Sequence, residues 1–444
     1  MRYAALLTAL LLIAVSVTAQ DLTRKAAAQK APVALVHATV HPVSGDVIDD
    51  GYVLFDGGRI TEVGKSAGKM FAGTVQVIDV TGKHVYPGLI DPNTSLGLLE
   101  IGAVRATDDF NEVGGITPEV RAAVAVNPDS TLIPVTRSNG ILTVAVLPSG
   151  GTIAGRASIL RLDGWTWETM AVRADAGLVV RWPLPRPIRA RWMDETDEEQ
   201  MKKARRARHR VREAFERAKA YLAARDADPS TPLDLRWEAM RGVLQGVDGK
   251  RQRVFIHAQD YDQIVPAVAF CAEHELKAVI VGGRDAHLCA ALLKRHDVGV
   301  ILNGTFRMPK RNDSDYDEIF TLPARLEAAG VRWCMSSGSR ASNVRNLPYA
   351  AALAVAYGLD PDVALRAMTL RTAQVLGIDD TLGSLDVGKS ATLIVTDGNP
   401  LEMTTHVERA WIDGREIDLR NKQTELRDKY REKYRQLGLL PDQG

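Results

Sequence analysis

The stretch Val85-Tyr86-Pro87-Gly88-Leu89-Ile90-Asp91 separates two kinds of sequence pattern in this chain of 444 residues. Before it, from Pro32 to Val85, short runs of β-branched and apolar residues alternate with turn signals, as in β-hairpins. The same pattern of short apolar runs and turn signals occurs again between Ala391 and Ile412. We therefore predict a small β-sandwich domain built from both chain ends, residues 30–86 and 383–420.

The long middle of the chain alternates short apolar runs with helical periods. The predicted strands are Ile141–Leu147, Arg253–His257, Ala278–Gly282, Val298–Leu302 and Val331–Met335. The predicted helices between them include Tyr261–His274, Asp285–His296 and Asp317–Ala329. Because crossovers of this length join parallel strands, the pattern predicts an α/β fold with a (β/α)8 TIM-like barrel over residues 87–382.

Two charged segments are predicted to be amphipathic helices that do not belong to the alternation of strands and helices in the barrel. Residues 194–227 form a helical insertion whose basic cluster, Lys202–Arg212, admits two interpretations. An anion-binding surface is one, and a solvated helix lying on the barrel is the favoured one. Residues 421–437 are predicted to form a similar C-terminal helix. Its apolar face comprises Leu426, Tyr430, Tyr434 and Leu437.

The first 19 residues predict a secretory signal peptide, because Arg2 precedes the apolar run Ala4–Val15 and the small residues Ser16–Ala19. We therefore expect an exported protein, periplasmic or secreted, without membrane attachment after cleavage. A net charge near +1 gives no reason to expect a nucleic-acid partner.

Three cysteines follow, Cys271, Cys289 and Cys334. They do not have the paired spacing of a structural zinc site. An oxidising compartment would permit a Cys271–Cys289 disulfide, but buried free thiols are the favoured interpretation.

The stretch at 85–91 resembles the segment that begins the barrel of the amidohydrolase superfamily, in particular of its imidazolonepropionase-like and dipeptidase-type members. Gly383–Lys389 is similar to the segment by which that family leaves the barrel, and Arg371–Gly377 resembles the preceding helix. The three motifs occur in the family's order. The resemblance implies a barrel with an attached β domain over almost the whole mature chain.

The same resemblance implies a metal site, since the family activates water with one or two divalent ions, usually zinc. Its ligands are an H-x-H pair after the first strand, a His ending each of two middle strands, and an Asp ending the last. The corresponding positions here are Asn93, Ser95, His257, Gly282 (or its neighbour Gly283) and Ser337 (or its neighbour Ser336). Only His257 keeps the expected residue type. We therefore predict a degenerate site with no metal cofactor, and zinc at a non-standard site is the alternative.

His257 is the candidate catalytic or hydrogen-bonding residue, because it ends a predicted barrel strand. A relic without a role is the alternative. His287, Arg284 and Arg340 follow altered ligand positions and are candidates for ligand binding. Surface ion pairing is the alternative for the two arginines.

Three functions are compatible with this pattern. The favoured one is a catalytically altered or non-catalytic subunit, a pseudoenzyme that binds a small molecule or an active amidohydrolase paralogue in a homo- or hetero-oligomer. The second is an active hydrolase of C–N bonds, in amides or dipeptides, with an unusual site. The third is an exported solute-binding protein that uses the barrel mouth as a pocket.

Overall fold

The computed structural model describes residues 24–189, 192–311 and 313–441. The predicted signal peptide, residues 1–19, lies outside the described residues. Two eight-stranded sheets organise the fold. Within the described ranges, none of the helices has the length and apolar character needed to cross a membrane.

The strands are β1 (Val33–Val40), β2 (Ile48–Asp56), β3 (Arg59–Lys65), β4 (Gln76–Asp79), β5 (His84–Pro87), β6 (Leu89–Thr94), β7 (Asn111–Glu112), β8 (Ile141–Val146), β9 (Ser149–Gly150), β10 (Ile153–Arg161), β11 (Ala171–Arg181), β12 (Arg253–Ala258), β13 (Lys277–Gly282), β14 (Gly299–Leu302), β15 (Trp333–Met335), β16 (Leu393–Thr396), β17 (Val407–Ile412) and β18 (Arg415–Glu416). The α-helices of the described ranges are α1 (Leu132–Arg137), α2 (Trp167–Met170), α3 (Asp197–Ala227), α4 (Leu235–Glu238), α5 (Arg241–Leu244), α6 (Tyr261–Glu273), α7 (Ala290–Arg295), α8 (Glu318–Ala328), α9 (Leu347–Ala356), α10 (Pro361–Ala367), α11 (Leu370–Leu376) and α12 (Lys422–Gln436).

The first sheet joins both ends of the chain in the order β18-β17-β16-β5-β1-β2-β3, with β4 paired to β1. Strand β5 connects the two halves, since it runs parallel to β1 and antiparallel to β16. Phe55 and Trp411, one from each half, meet edge to face in its core, with ring centroids 5.9 Å apart. The ends of the chain therefore share one sheet, and the sandwich arrangement stays a prediction.

The second sheet is a nearly closed barrel in the order β15-β14-β13-β12-β11-β10-β8-β6. Its two end strands approach each other where the Ser95 amide donates to the Ser339 carbonyl at 3.0 Å. All neighbouring strands are parallel except β10, which runs antiparallel to β8 and to β11. The prediction of a uniformly parallel barrel is wrong at this strand. The link from β8 to β10 is too short for a helical crossover and makes a hairpin instead.

Alternate residues of the barrel strands fill the interior. Ile90, Ala145, Val179, Phe255 and Val281 are buried together in one apolar cluster. Side chains on the opposite faces of these strands pack under the surrounding helices in a second, larger cluster. Because the interior is a packed core, space for chemistry is found at the strand ends.

Helices α6 and α8 lie within one residue of the predicted bounds at each end. The helix predicted over Asp285–His296 is instead a 3-10 turn, Ala286–Cys289, followed by the short helix α7. All three cysteines are free and buried, as the favoured interpretation predicted. The Cys271–Cys289 disulfide is not formed.

The charged insertion is the long helix α3, which begins after a capping box between Thr196 and Glu199. Its buried side chains, which begin at Val211 near the middle of the helix, hold it on the barrel. They are Val211, Ala214, Phe215, Ala218 and Leu222.

The C-terminal helix α12 contains no buried residue. The exposed fractions of its apolar stripe are 41% for Leu426, 49% for Tyr430, 43% for Tyr434 and 60% for Leu437. The structure has a helix within one residue of the predicted bounds, 421–437, and its apolar stripe is exposed. The helix is capped by the Asn421 side chain.

Candidate functional site at the barrel mouth

The structure places the predicted ligand positions at the carboxyl ends of barrel strands. Asn93 lies in β6, His257 in β12 and Gly282 ends β13, while Ser337 follows β15. Strands β12 and β13 are direct neighbours. Carboxyl ends of barrel strands are where active sites of this architecture form.

Asp91 is the polar centre of this region, although the sequence analysis did not single it out. Its carboxylate is completely buried and accepts the backbone N–H groups of Asn93 and Ser337, each at 3.1 Å. It also accepts the Ser337 hydroxyl. Burial raises the pKa of Asp91 to about 6, even though these hydrogen bonds act in the opposite direction. The available sequence signal was an acidic residue directly after the apolar run of β6.

The other polar groups of the altered positions are bonded within the protein. The Asn93 amide donates to the Asn303 side-chain carbonyl at 2.9 Å. The Ser95 hydroxyl donates to the Ser339 carbonyl at 2.9 Å, and the Ser336 hydroxyl donates to the Asn93 carbonyl at 3.1 Å. These bonds close the gap between the first and last strands of the barrel.

Gly282 has no side chain that could bind a metal. Its φ of +112° is a backbone conformation that favours glycine. A Cβ at this position would lie 2.1 Å from the Gln259 side-chain nitrogen. The Gln259 amide therefore occupies the space in which a ligand side chain at Gly282 would begin.

His257 keeps the expected residue type and stands beside a positive charge. It pairs in register with Arg181 of β11, and its side chain is half-buried. Burial, and secondarily the charge of Arg181, lower the pKa of His257 to about 3, so the imidazole is neutral at pH 7. Arg181 donates to the Ser149 hydroxyl. Over the described ranges, no carboxylate forms an ion pair with Arg181.

The three further ligand-binding candidates have different surroundings. Arg284 is buried and ion-paired with Asp260, which also binds Arg186 at 2.5 Å. His287 is half-buried in a 3-10 turn, and its pKa is lowered mainly by burial. Arg340 is exposed after β15. Arg284 is thus engaged in a structural ion pair, whereas Arg340 faces solvent.

This donor set does not fit the family's metal centre. In the part of the chain that the structure describes, no three His, Cys, Asp or Glu side chains are grouped to hold one ion. The predicted positions offer a single imidazole, while the amide of Asn93 and the hydroxyl of Ser337 are already hydrogen-bonded inside the protein. A catalytic zinc needs about three protein ligands.

The amidohydrolase family model matches residues 143–417. The chain belongs to the amidohydrolase family. An amidohydrolase from Hapsidospora irregularis, tasK, is 26% identical over 415 residues, which is 82% of this chain but 39% of that longer protein. An imidazolonepropionase from Rhizobium rhizogenes is 25% identical over 402 residues, covering 81% of this chain and 90% of the relative.

The crystal structure of an amidohydrolase from Thermotoga maritima MSB8 has the same fold. The TM-score is 0.76 at 24% identity, over 87% of this chain and 100% of that one. These comparisons confirm the predicted superfamily, its imidazolonepropionase relatives and the α/β architecture.

Proposed function

We propose that this amidohydrolase-family chain is a metal-free binding subunit, which holds a small molecule at the barrel mouth without hydrolysing it and acts beside an active relative. The observation that carries the proposal is the state of the former ligand positions. Gly282 has no side chain, and the Gln259 amide occupies the space in which one would begin. The hydroxyl of Ser337 is bonded to Asp91 and is not available for a metal.

The positive charge of Arg181 supports the same proposal. Arg181 lies in register with His257, the one imidazole left at these positions, and its charge lowers the pKa of that imidazole. A cation beside the ring also disfavours a divalent ion there, since like charges repel most strongly where water is largely excluded. The neutral imidazole and the guanidinium are instead suited to hydrogen-bond a polar ligand.

An active hydrolase of C–N bonds is the second candidate. The neutral His257 ring favours it, because over the described residues no side chain hydrogen-bonds to this imidazole and its free nitrogen can accept a hydrogen bond from a substrate. Similarity to an imidazolonepropionase points to the same class of reaction. In that case catalysis would use a non-standard site, with or without zinc.

Export, location and assembly are proposed from the sequence. We propose that residues 1–19 are removed as a signal peptide and that the mature protein is periplasmic or secreted. We also propose that it forms a homo- or hetero-oligomer and has neither nucleic-acid nor membrane partners.

The decisive experiment is the metal content of the purified mature protein, expressed with added zinc and measured by elemental analysis. We expect less than about a tenth of an equivalent, since a closed set of three or four ligands is missing. His257→Ala should leave this value unchanged, as should His296→Ala, which removes an exposed histidine. A screen of N-acyl amino acids should show no turnover.

About one equivalent of zinc that His257→Ala removes and His296→Ala retains would contradict the proposal. Turnover of an N-acyl amino acid that chelators abolish would establish the second candidate. Turnover without metal would establish hydrolysis at a non-standard, metal-free site.

A further inference from the structure

A groove lies on the outside of the barrel, between helix α3 and the segment that follows β11. Its volume is about 650 Å³, within the range of small-molecule pockets. The lining residues are Pro183, Leu184, Lys203, Ala204, Arg206, Ala207, His209 and Arg210. Most of the surface inside the groove is apolar, and all of its cationic groups come from α3.

The groove exists because the apolar stripe of α3 is longer than the surface that covers it. Val211 and the buried residues after it pack against the barrel. Ala204 and Ala207 continue the same stripe toward the start of the helix but are only half-buried. Opposite them stand Pro183 and Leu184. An apolar seam is therefore left unfilled where the helix leaves the barrel.

Positively charged side chains border the groove. Seven Lys and Arg residues and no acidic residue occur from Gln200 to Arg212, although the net charge of the whole chain is only +1. Lys203 forms an ion pair with Glu195. Arg206 and Arg210 are exposed, and neither forms an ion pair with any residue that the structure describes.

We propose that this groove binds a single-chain amphiphile with an anionic head group, such as a long-chain carboxylate. The chain would lie along the alanines and against Leu184, and the carboxylate would pair with Arg206 and Arg210. A guanidinium binds a carboxylate through two parallel hydrogen bonds. A stable protein partner needs about 800 Å² of surface on each side, whereas a groove of about 650 Å³ has the size of a small-molecule pocket.

The test uses the full mature protein and dodecanoate below its micellar concentration, with binding measured by isothermal titration calorimetry. We expect saturable binding of dodecanoate at one site. Dodecyltrimethylammonium has the same chain with a cationic head and should not bind. Dodecyl maltoside, with a neutral head, should bind at least about tenfold more weakly, because it forms no charge-assisted hydrogen bond.

Two variants address the two halves of the proposal. Arg206→Glu/Arg210→Glu should weaken dodecanoate binding by about tenfold or more, because the head group loses both partners. Ala207→Phe should also weaken binding, since the added ring fills the apolar part of the groove. The matched control is Lys202→Glu/Arg205→Glu, which makes the same change of charge on the same helix at exposed residues outside the groove. This control should retain wild-type affinity within about twofold.

Several outcomes would overturn the proposal. Equal losses in the two charge-reversed variants would indicate general attraction to a basic helix. Undiminished binding by Ala207→Phe would place the chain elsewhere, and comparable binding of the neutral amphiphile would remove the role of the arginines. Binding of an acidic peptide in place of dodecanoate would identify a protein-docking surface instead. Far-ultraviolet circular dichroism of each variant confirms that the helix is intact.

Discussion

Replacing Asp163 by alanine is expected to lower the free energy of unfolding by about 3–5 kcal/mol, because it leaves a buried charge without its partner. Asp163 and Arg137 are 2% and 1% exposed, and their side chains meet at 3.0 Å. The other carboxylate oxygen binds Arg415 at 2.9 Å. Burial lowers the pKa of Arg137, but a guanidinium does not lose its proton in proteins, so its charge stays buried.

This carboxylate also connects the two parts of the fold. Arg137 ends helix α1, Asp163 follows barrel strand β10, and Arg415 begins β18 of the sheet shared by the chain ends. The backbone amide of Ala26 approaches the same carboxylate at 3.4 Å. The substitution therefore removes a link between barrel and sheet as well as a charge partner.

Urea denaturation followed by circular dichroism measures the effect. Asp163→Ala/Arg137→Met should recover most of the lost stability, since the unpaired charge is removed along with its partner. Asp428→Ala breaks the exposed pair with Arg427 and should cost less than about 0.5 kcal/mol. A loss below about 1 kcal/mol for Asp163→Ala, or a double variant no more stable than the single one, would contradict the prediction.

The sequence predicted the parts of the fold that depend on local pattern. Strand β12 was expected at Arg253–His257 and extends one residue further, to Ala258. The direction of β10 was missed, since no strand was predicted between Leu147 and Arg253. Strand direction depends on which neighbours a strand pairs with, and apolar periodicity carries no information about that.

The candidate site was predictable in position but not in its interactions. The sequence predicted Asn93, directly after the motif at 85–91, and Ser337, at the end of the last predicted strand, as altered positions. It did not reveal that Asn93 binds Asn303, 210 residues away, or that Ser337 binds Asp91, 246 residues away. The closure of Gly282 by Gln259 depends on packing across neighbouring strands. Such contacts arise from tertiary structure and leave no spacing in the sequence.

We expect the wild-type protein to lose stability, compared with an Asp91→Asn variant, as the pH rises. The titration of Asp91 causes this difference. Its pKa of about 6 in the folded protein lies above the ordinary value of 3.8. Between these values the folded state holds a proton that the unfolded state has released, so the free energy of unfolding falls as pH rises. The free energy of unfolding of the wild type, minus that of Asp91→Asn, should therefore decrease by up to about 3 kcal/mol from pH 4 to pH 6.

Urea denaturation of both proteins at several pH values measures this difference in the free energy of unfolding. The contributions of all other carboxylates cancel in the difference, because both proteins contain them. Asp46→Asn removes an exposed carboxylate and should remain parallel to wild type throughout. A difference between wild type and Asp91→Asn that does not change with pH would contradict the prediction. Asp91 would then have the same pKa in the folded and the unfolded protein.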